Sequence, residues 1–199
     1  MLLKKIKAAT PSQRHLKLID KSFLSKNKPL KSQTIGLITS GGRNNLGRIT
    51  HFRKGGGHKK LYRKIDFLRK DSNGIVLSLE YDPNRTAFIA SVYDVLKKQP
   101  FYILAPQGLK TGDIIQSGKH AEVKIAHSLP LARIPVGTFI HNISLSKGKK
   151  GKIARAAGNY AQLIQKNNTF GRIILRSGEQ RLISVECTAT IGILSNENK

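Results

Sequence analysis

Acids and cysteine are what this sequence has least of: 11 Asp or Glu and one Cys, Cys187, in 199 residues. A single thiol excludes an internal disulfide and any cysteine-built zinc cluster, so nothing here requires an oxidising compartment. A buried structural thiol is the simplest use of Cys187. Long apolar runs are missing as well. None approaches the ~18 residues a membrane span needs, and no membrane partner is expected. Neither a helical pattern of more than about two turns nor a repeat at a fixed period can be found.

The shortage of acids leaves 36 Lys and Arg largely uncompensated, with a formal charge of +25 and a pI near 10.5. Such a chain repels copies of itself unless a polyanion supplies counter-charge. Nucleic acid is the leading candidate, ahead of an anionic membrane surface or an acidic protein. At 39% hydrophobic the chain can still bury a core, as one ordinary domain or two small ones.

The charge is unevenly spread. Residues 1–70 hold 19 Lys or Arg against Asp20 and Asp66, a net of +17, whereas the remaining 129 residues carry +8. That first third has little periodic apolar pattern and reads as an extended basic arm unable to fold alone. Its start, MLLKKIKAATPSQRHLKLIDKSF, has the basic character of a mitochondrial leader. Lys outnumbers Arg by 24 to 12 over the chain, however, and the basic texture does not stop where a cleavable leader would end.

From Gly74 onward short β-rich runs alternate with turn residues. Gly74–Tyr81, Thr86–Tyr93, Phe101–Ala105 and Ala121–Ala126 have strand composition, separated by Asp82-Pro83-Asn84-Arg85 and Pro106-Gln107-Gly108. Leu129 to Pro135, with two prolines, interrupts the series. A second set follows at Thr138–Leu145, Ala161–Gln165, Arg172–Leu175, Arg181–Glu186 and Thr190–Leu194, with the cationic loop Lys147-Gly148-Lys149-Lys150-Gly151-Lys152 between its first two members. The expectation is an all-β chain: arm 1–70, a first barrel over 71–128 and a second over 129–199.

The densest motif is Gly41–Arg63, GGRNNLGRITHFRKGGGHKKLYR. Arg43, Arg48, Arg53, Lys54, Lys59, Lys60 and Arg63 neutralise phosphates there, while Asn44, Asn45, His51 and His58 add side-chain donors. Gly55, Gly56 and Gly57 let main-chain N–H groups approach a phosphate with no Cβ in the way. Tyr62 and Phe52 interleave aromatic faces with the cations, which a merely solvated loop would not need. The glycines fit neither a Walker A loop nor a dinucleotide fingerprint, so no nucleotide cofactor is expected.

Enzyme chemistry is thin. His51 and His58 lack a third metal partner. Glu80 and Asp82 share a strand face, but Asp82 in Asp-Pro-Asn is more simply a turn former, and no nucleophile setting exists. Neither catalysis nor a small-molecule substrate is expected.

Several long strings then occur in order: GRNNLGRITHFRKGGGHKKLYRKIDF, EYDPNRTAFIA, YILAP, LPLARIPVGTFIHNISL, ARAAGNYAQL and SGEQRLISVECTATIG. Over nearly its whole length the chain thereby resembles the ribosomal L2 family. The resemblance implies an OB-like barrel followed by an SH3-like barrel. It also implies binding of large-subunit rRNA near the peptidyl-transferase region, contacts with neighbouring ribosomal proteins and a contribution to subunit assembly and association. The family's RNA-binding arginines fall on Arg85 within DPNR and Arg155 within ARAAG.

Around these, Asn84, Arg69 and the loop lysines Lys147, Lys149, Lys150 and Lys152 complete the expected rRNA-facing set. Arg85 follows a Pro-Asn turn that would project its guanidinium from a rigid corner, unless it is spent on an ion pair with Asp82. Arg155 precedes Ala156, Ala157 and Gly158, small residues that would let an RNA backbone approach; otherwise it is an ordinary exposed arginine.

No cofactor is expected beyond Mg2+ or K+ ions accompanying the rRNA. Full-length bacterial members continue into a glycine-rich extension bearing a histidine associated with the peptidyl-transferase centre, and none of His15, His51, His58, His120, His127 or His141 inherits that place. A separate chain would supply the missing part, or the ribosome would do without it. The Lys excess, the many Ile and Asn and the missing extension together suggest a mitochondrial form. An AT-rich genome in another organelle or a bacterium would give the same composition. A transient translation or RNA-processing factor built on similar barrels is the rival reading.

Overall fold

Short strands and tight turns carry the whole architecture of the computed structural model, which describes residues 3–37 and 39–198; Met1 and Leu2, where the expected arm begins, Ile38 within it and Lys199, where the expected second barrel ends, lie outside the described residues. The strands are β1 (Leu3–Lys5), β2 (Lys17–Ile19), β3 (Thr34–Gly36), β4 (Leu61–Arg63), β5 (Ser72–Glu80), β6 (Ile89–Asp94) and β7 (Gln99–Leu104). After them come β8 (Ile114–Ser117), β9 (Ser128–Pro130), β10 (Phe139–His141), β11 (Ala161–Lys166), β12 (Phe170–Leu175), β13 (Gln180–Ser184) and β14 (Thr188–Ile191). Helix among the described residues amounts to three-residue 3₁₀ turns. The chain is all-β, as the sequence implies.

Ten of the strands form one continuous ladder, β13-β12-β11-β10-β14-β9-β8-β5-β6-β7. Its two ends curl around separate cores. The first holds Val76, Phe88, Ala90, Val92, Ile103 and Ile115, and the second Leu131, Ile134, Ile140, Leu163, Ile173 and Ala189. Bulges supply the curvature, at Leu77 opposite β6 and at Ile164 opposite β12. Gly74 is where β5 and β6 crowd together: an added Cβ would lie 2.5 Å from Val92 Cγ1 and 2.9 Å from the Tyr93 carbonyl.

Two strand expectations change. Ala121–Ala126 is a chain of turns rather than a strand, with Ala126 at φ 70°. Val123 and Ile125 stay half exposed because no neighbouring strand pairs with them, and the His127 ring clips the segment through the Glu122 and Ile114 carbonyls, both at 3.0 Å. The place beside β5 belongs instead to β8, which pairs from Ser72↔Ser117 to Ile75↔Ile114. The stretch beginning at Leu129 does not merely interrupt. Ser128–Pro130 forms β9, antiparallel to β14 and joined to β8 by a parallel pair, Ser117↔Ser128.

The basic first third is extended but wraps the first barrel. Leu24, 7% exposed, enters its core, Phe23 meets Phe88 edge-on at 5.5 Å, and Ser25 N–H donates to the Leu79 carbonyl at 2.8 Å. Leu30 N–H donates to Tyr102 Oη at 2.8 Å, and that hydroxyl donates to buried Glu80 at 2.8 Å. Burial, chiefly, pushes the Tyr102 phenol up to about 12, so it stays a donor.

The barrels are locked to each other. The segment after β14 crosses to the first barrel: Gln107 N–H donates to the Ile193 carbonyl, Ser195 Oγ accepts from Phe88 N–H at 3.0 Å, and Asn196 Nδ2 donates to the Thr86 carbonyl at 2.7 Å. Arg69, 5% exposed, lies between the barrels. Its Nε and Nη2 donate to Ser117 Oγ at 3.1 and 3.0 Å, and Nη2 also reaches the Ala126 carbonyl at 3.0 Å. Burial lowers its pKa to about 10, opposed by Asp66, so it remains charged at neutral pH. Arg69 is therefore withdrawn from the RNA-facing set: a guanidinium with these internal partners cannot reach a phosphate. Its neighbour His141, bonded to the Gly192 carbonyl at 2.7 Å, is lowered by burial to about 4 and is a neutral Nδ1–H donor.

Candidate nucleic-acid interface

Gly42 begins the cationic hairpin. At φ 77° it takes a conformation that L side chains avoid, and an added Cβ would collide with the His51 carbonyl. The Gly42 carbonyl receives Thr50 N–H at 2.9 Å and His51 N–H at 3.1 Å, and Arg43 bridges to Ile49. Asn44 shapes the tip: its Oδ1 accepts Leu46 N–H at 3.0 Å and Arg48 N–H at 2.9 Å. That oxygen is spent on the loop, whereas the side chains of Arg43, Asn45, Arg48, His51, Arg53 and Lys54 are exposed. Phe52 stands out with 78% of its surface exposed. At Gly55, Gly56 and Gly57 a Cβ would meet nothing of the chain within 4 Å. Packing inside the molecule does not explain that triplet. His58, Lys59 and Lys60 are exposed beyond it.

The Asp82–Arg85 corner sits where β4 reaches the first barrel. Asp82 is fully buried, and its Oδ1 accepts Asn84 N–H at 2.9 Å while its Oδ2 accepts Arg85 Nε at 2.6 Å. Asn84 Nδ2 in turn donates to the Leu61 carbonyl at 2.7 Å, tying the corner to β4, and Arg63 Nη1 shares that carbonyl at 3.0 Å. The ion pair with Asp82 forms, but it does not use up the whole Arg85 guanidinium. Its Nε serves the ion pair, and its two Nη groups make no hydrogen bond among the described residues. Asp82 orients the fork and leaves its outer edge available.

Phe67 brings that fork together with the second barrel. Arg85 Cζ lies 5.9 Å from its ring centre and 5.8 Å from that of Tyr62, while Arg155 Cζ lies 4.7 Å from the Phe67 ring. Arginines from two barrels thus flank one aromatic ring, within cation–π range. The Phe67 carbonyl also accepts Gly151 N–H at 3.0 Å and Asn142 Nδ2 at 3.2 Å, so the same residue anchors the Lys-Gly loop. Gly151 is obligatory there, since a Cβ would strike the main chain and amide of Asn142.

Lys149, Lys150 and Lys152 stand exposed along this loop without ion pairs among the described residues; Lys147 turns away to Glu186 at 2.9 Å. One expectation about Arg155 fails. Gly158 does not open a path for a backbone: a Cβ there would lie 2.7 Å from Glu197 Cα, and its carbonyl accepts Arg176 Nη1 at 2.8 Å. Its smallness serves internal packing.

Phe67 itself was not among the residues the sequence singled out. The only local signal is an aromatic within KIDFLRK.

Residues 31–117 match the model of "Ribosomal Proteins L2, RNA binding N-terminal domain", and residues 124–199 that of "Ribosomal Proteins L2, C-terminal domain". The chain belongs to the ribosomal protein L2 family. Among its relatives, large ribosomal subunit protein uL2m of Reclinomonas americana is 54% identical over 100% of this chain and 73% of its own length. The uL2 of Chelativorans sp. (strain BNC1) is 52% identical over 98% and 71%, and that of Rickettsia prowazekii (strain Madrid E) 50% identical over 100% and 73%. Set against the L2 domains, the Phe67 cluster straddles both. Tyr62, Phe67 and Arg85 fall in the segment described as RNA binding, and Asn142, Gly151 and Arg155 in the C-terminal domain.

Proposed function

We propose that the chain is a structural, non-catalytic constituent of the large ribosomal subunit. It anchors itself in large-subunit rRNA near the peptidyl-transferase region and supports assembly and subunit association. The observation carrying this reading is the Phe67 cluster, where two guanidinium groups on separate barrels are pre-set against one ring. Pre-setting lowers the ordering cost of binding, and the excess lysines neutralise phosphates without geometric demand.

Contacts to the RNA come from Arg43, Asn45, Arg48, His51, Arg53, Lys54, the Gly55–Gly57 main chain, His58, Lys59, Lys60, Tyr62 and Arg63, with Asn44 shaping their loop. Asn84 positions the corner, and Arg85, Lys149, Lys150, Lys152 and Arg155 complete the surface. Phe52 offers a face on which an unstacked base settles. Mg2+ or K+ ions held by the rRNA supply no chemistry of the chain. The finer reading places the particle in a mitochondrion. The uL2m relative supports the compartment.

Salt titration tests the RNA reading. For the full chain and large-subunit rRNA, log affinity against log salt falls with a slope of roughly −0.7 to −0.9 per phosphate neutralised. A flat dependence overturns it.

A further inference from the structure

A second concavity begins where the Phe67 cluster ends. Leu68, Arg69 and Lys70 run from Phe67 into a cleft of about 880 Å³ between the barrels, and Lys147 and Gly148 of the loop anchored on Phe67 form its opposite wall. The lining includes apolar surface from Leu68, Ala121, Pro130 and Leu96, the last 72% exposed at the tip of the β6–β7 hairpin. A leucine so exposed at a cleft mouth has no role in either core.

The rim is cationic. Lys70 and Lys119 make no ion pair among the described residues, while Lys97 faces Asp94 at 3.6 Å and Lys147 faces Glu186 at 2.9 Å. Asp71 is the one further acid in the lining. Asn73, on β5, adds an amide that makes no side-chain hydrogen bond among the described residues, and Gln116 uses only its oxygen, accepting Glu122 N–H at 3.4 Å. Apolar surface, two carboxamide groups and a set of ammonium groups match the parts of a nucleotide: a ring with two faces, edges bearing donors and acceptors, and a phosphate.

We propose that this inter-barrel cleft receives an unstacked nucleotide of the RNA that occupies the Phe67 surface. The inference rests on the rRNA-binding reading, and it adds a second contact on the far side of residues 67–70. Continuity with the Phe67 surface, flanked by two arginines, favours RNA over an acidic peptide.

The test uses the full chain bound to full-length large-subunit rRNA, ultraviolet irradiation, and mass spectrometry of the cross-linked peptides. RNA adducts are expected on peptides containing Leu96 or Lys119, alongside adducts at Phe52 or Tyr62. The variant L96E/K119E, changed at two exposed positions, should lose the cleft adducts, keep those at Phe52 or Tyr62, and bind roughly tenfold more weakly. Adducts confined to Phe52 and Tyr62, with L96E/K119E binding as tightly as the parent, overturn the cleft and leave the RNA reading standing. Absence of adducts at every position, with no measurable affinity, overturns both. In purified large-subunit particles, a protein cross-linked to Lys119 in place of RNA also overturns the proposal.

Discussion

Replacing Arg85 and Arg155 together by alanine weakens binding to large-subunit rRNA by roughly 30- to 1000-fold, the equivalent of about 2–4 kcal/mol, with the salt slope shallower by roughly two phosphates. Each guanidinium sits over Phe67 with part of its donor set facing outward, so each loses a positioned contact and not merely a charge. The single changes should not add, because both forks share one ring and one stretch of RNA.

Arg155 is exposed and its removal leaves nothing unpaired within the chain. Arg85 differs, because its loss strips the buried Asp82 carboxylate of a 2.6 Å partner. Arg85→Lys separates the two effects. A lysine keeps the charge beside Asp82 but not the planar fork, so R85K should unfold like the parent and still bind RNA more weakly. Full affinity in R85A/R155A, measured on protein that melts cooperatively, removes the cluster from the interface.

Arg69→Ala acts on stability instead. It deletes three hydrogen bonds from a buried cation, orphaning Ser117 Oγ and the Ala126 carbonyl. Each buried polar group left without its partner costs about 1–3 kcal/mol, so the pair is a large share of a small domain's margin. Ser117 ends β8 and Ala126 precedes β9, so the damage falls at the joint between barrels. Chemical denaturation should therefore show R69A unfolding at much lower denaturant, in a broadened or two-step transition, while its folded fraction binds rRNA with near-parental affinity. Parental stability with lost affinity would return Arg69 to the RNA-facing surface.

Arg69 also marks the limit of what a sequence discloses. In LRKDS it is one more cation at the end of a cationic arm; its burial depends on Ser117 and Ala126, whose proximity arises only once both barrels have closed. Phe67 escapes notice for the same reason, since its ring contacts Arg85 and Arg155 and its carbonyl receives Gly151 and Asn142. The Asp82–Arg85 corner, by contrast, is local chemistry: an Asp-Pro-Asn turn aims the next side chain wherever it occurs.

Strand existence is legible where the run of strand-favouring residues is long, as in Gly74–Tyr81. It fails for Ala121–Ala126, whose apolar residues have no partner strand, and for Ile114–Ser117, a strand that strand composition alone does not announce. Even the inward face of β5 runs against hydrophobicity. Ile75 and Leu77 point outward, while Ser78 and Glu80 are buried because Ser91, Tyr102 and the docked arm complete their hydrogen bonds.

The central claim is that this chain is a permanent, RNA-anchored part of the large subunit. Sedimentation of a lysate through a gradient after a high-salt wash tests it most directly, with the chain quantified against large-subunit rRNA. One copy per rRNA, retained through the wash, is the predicted result. A substoichiometric chain that washes into the soluble fractions contradicts the account and fits a transient RNA-binding factor.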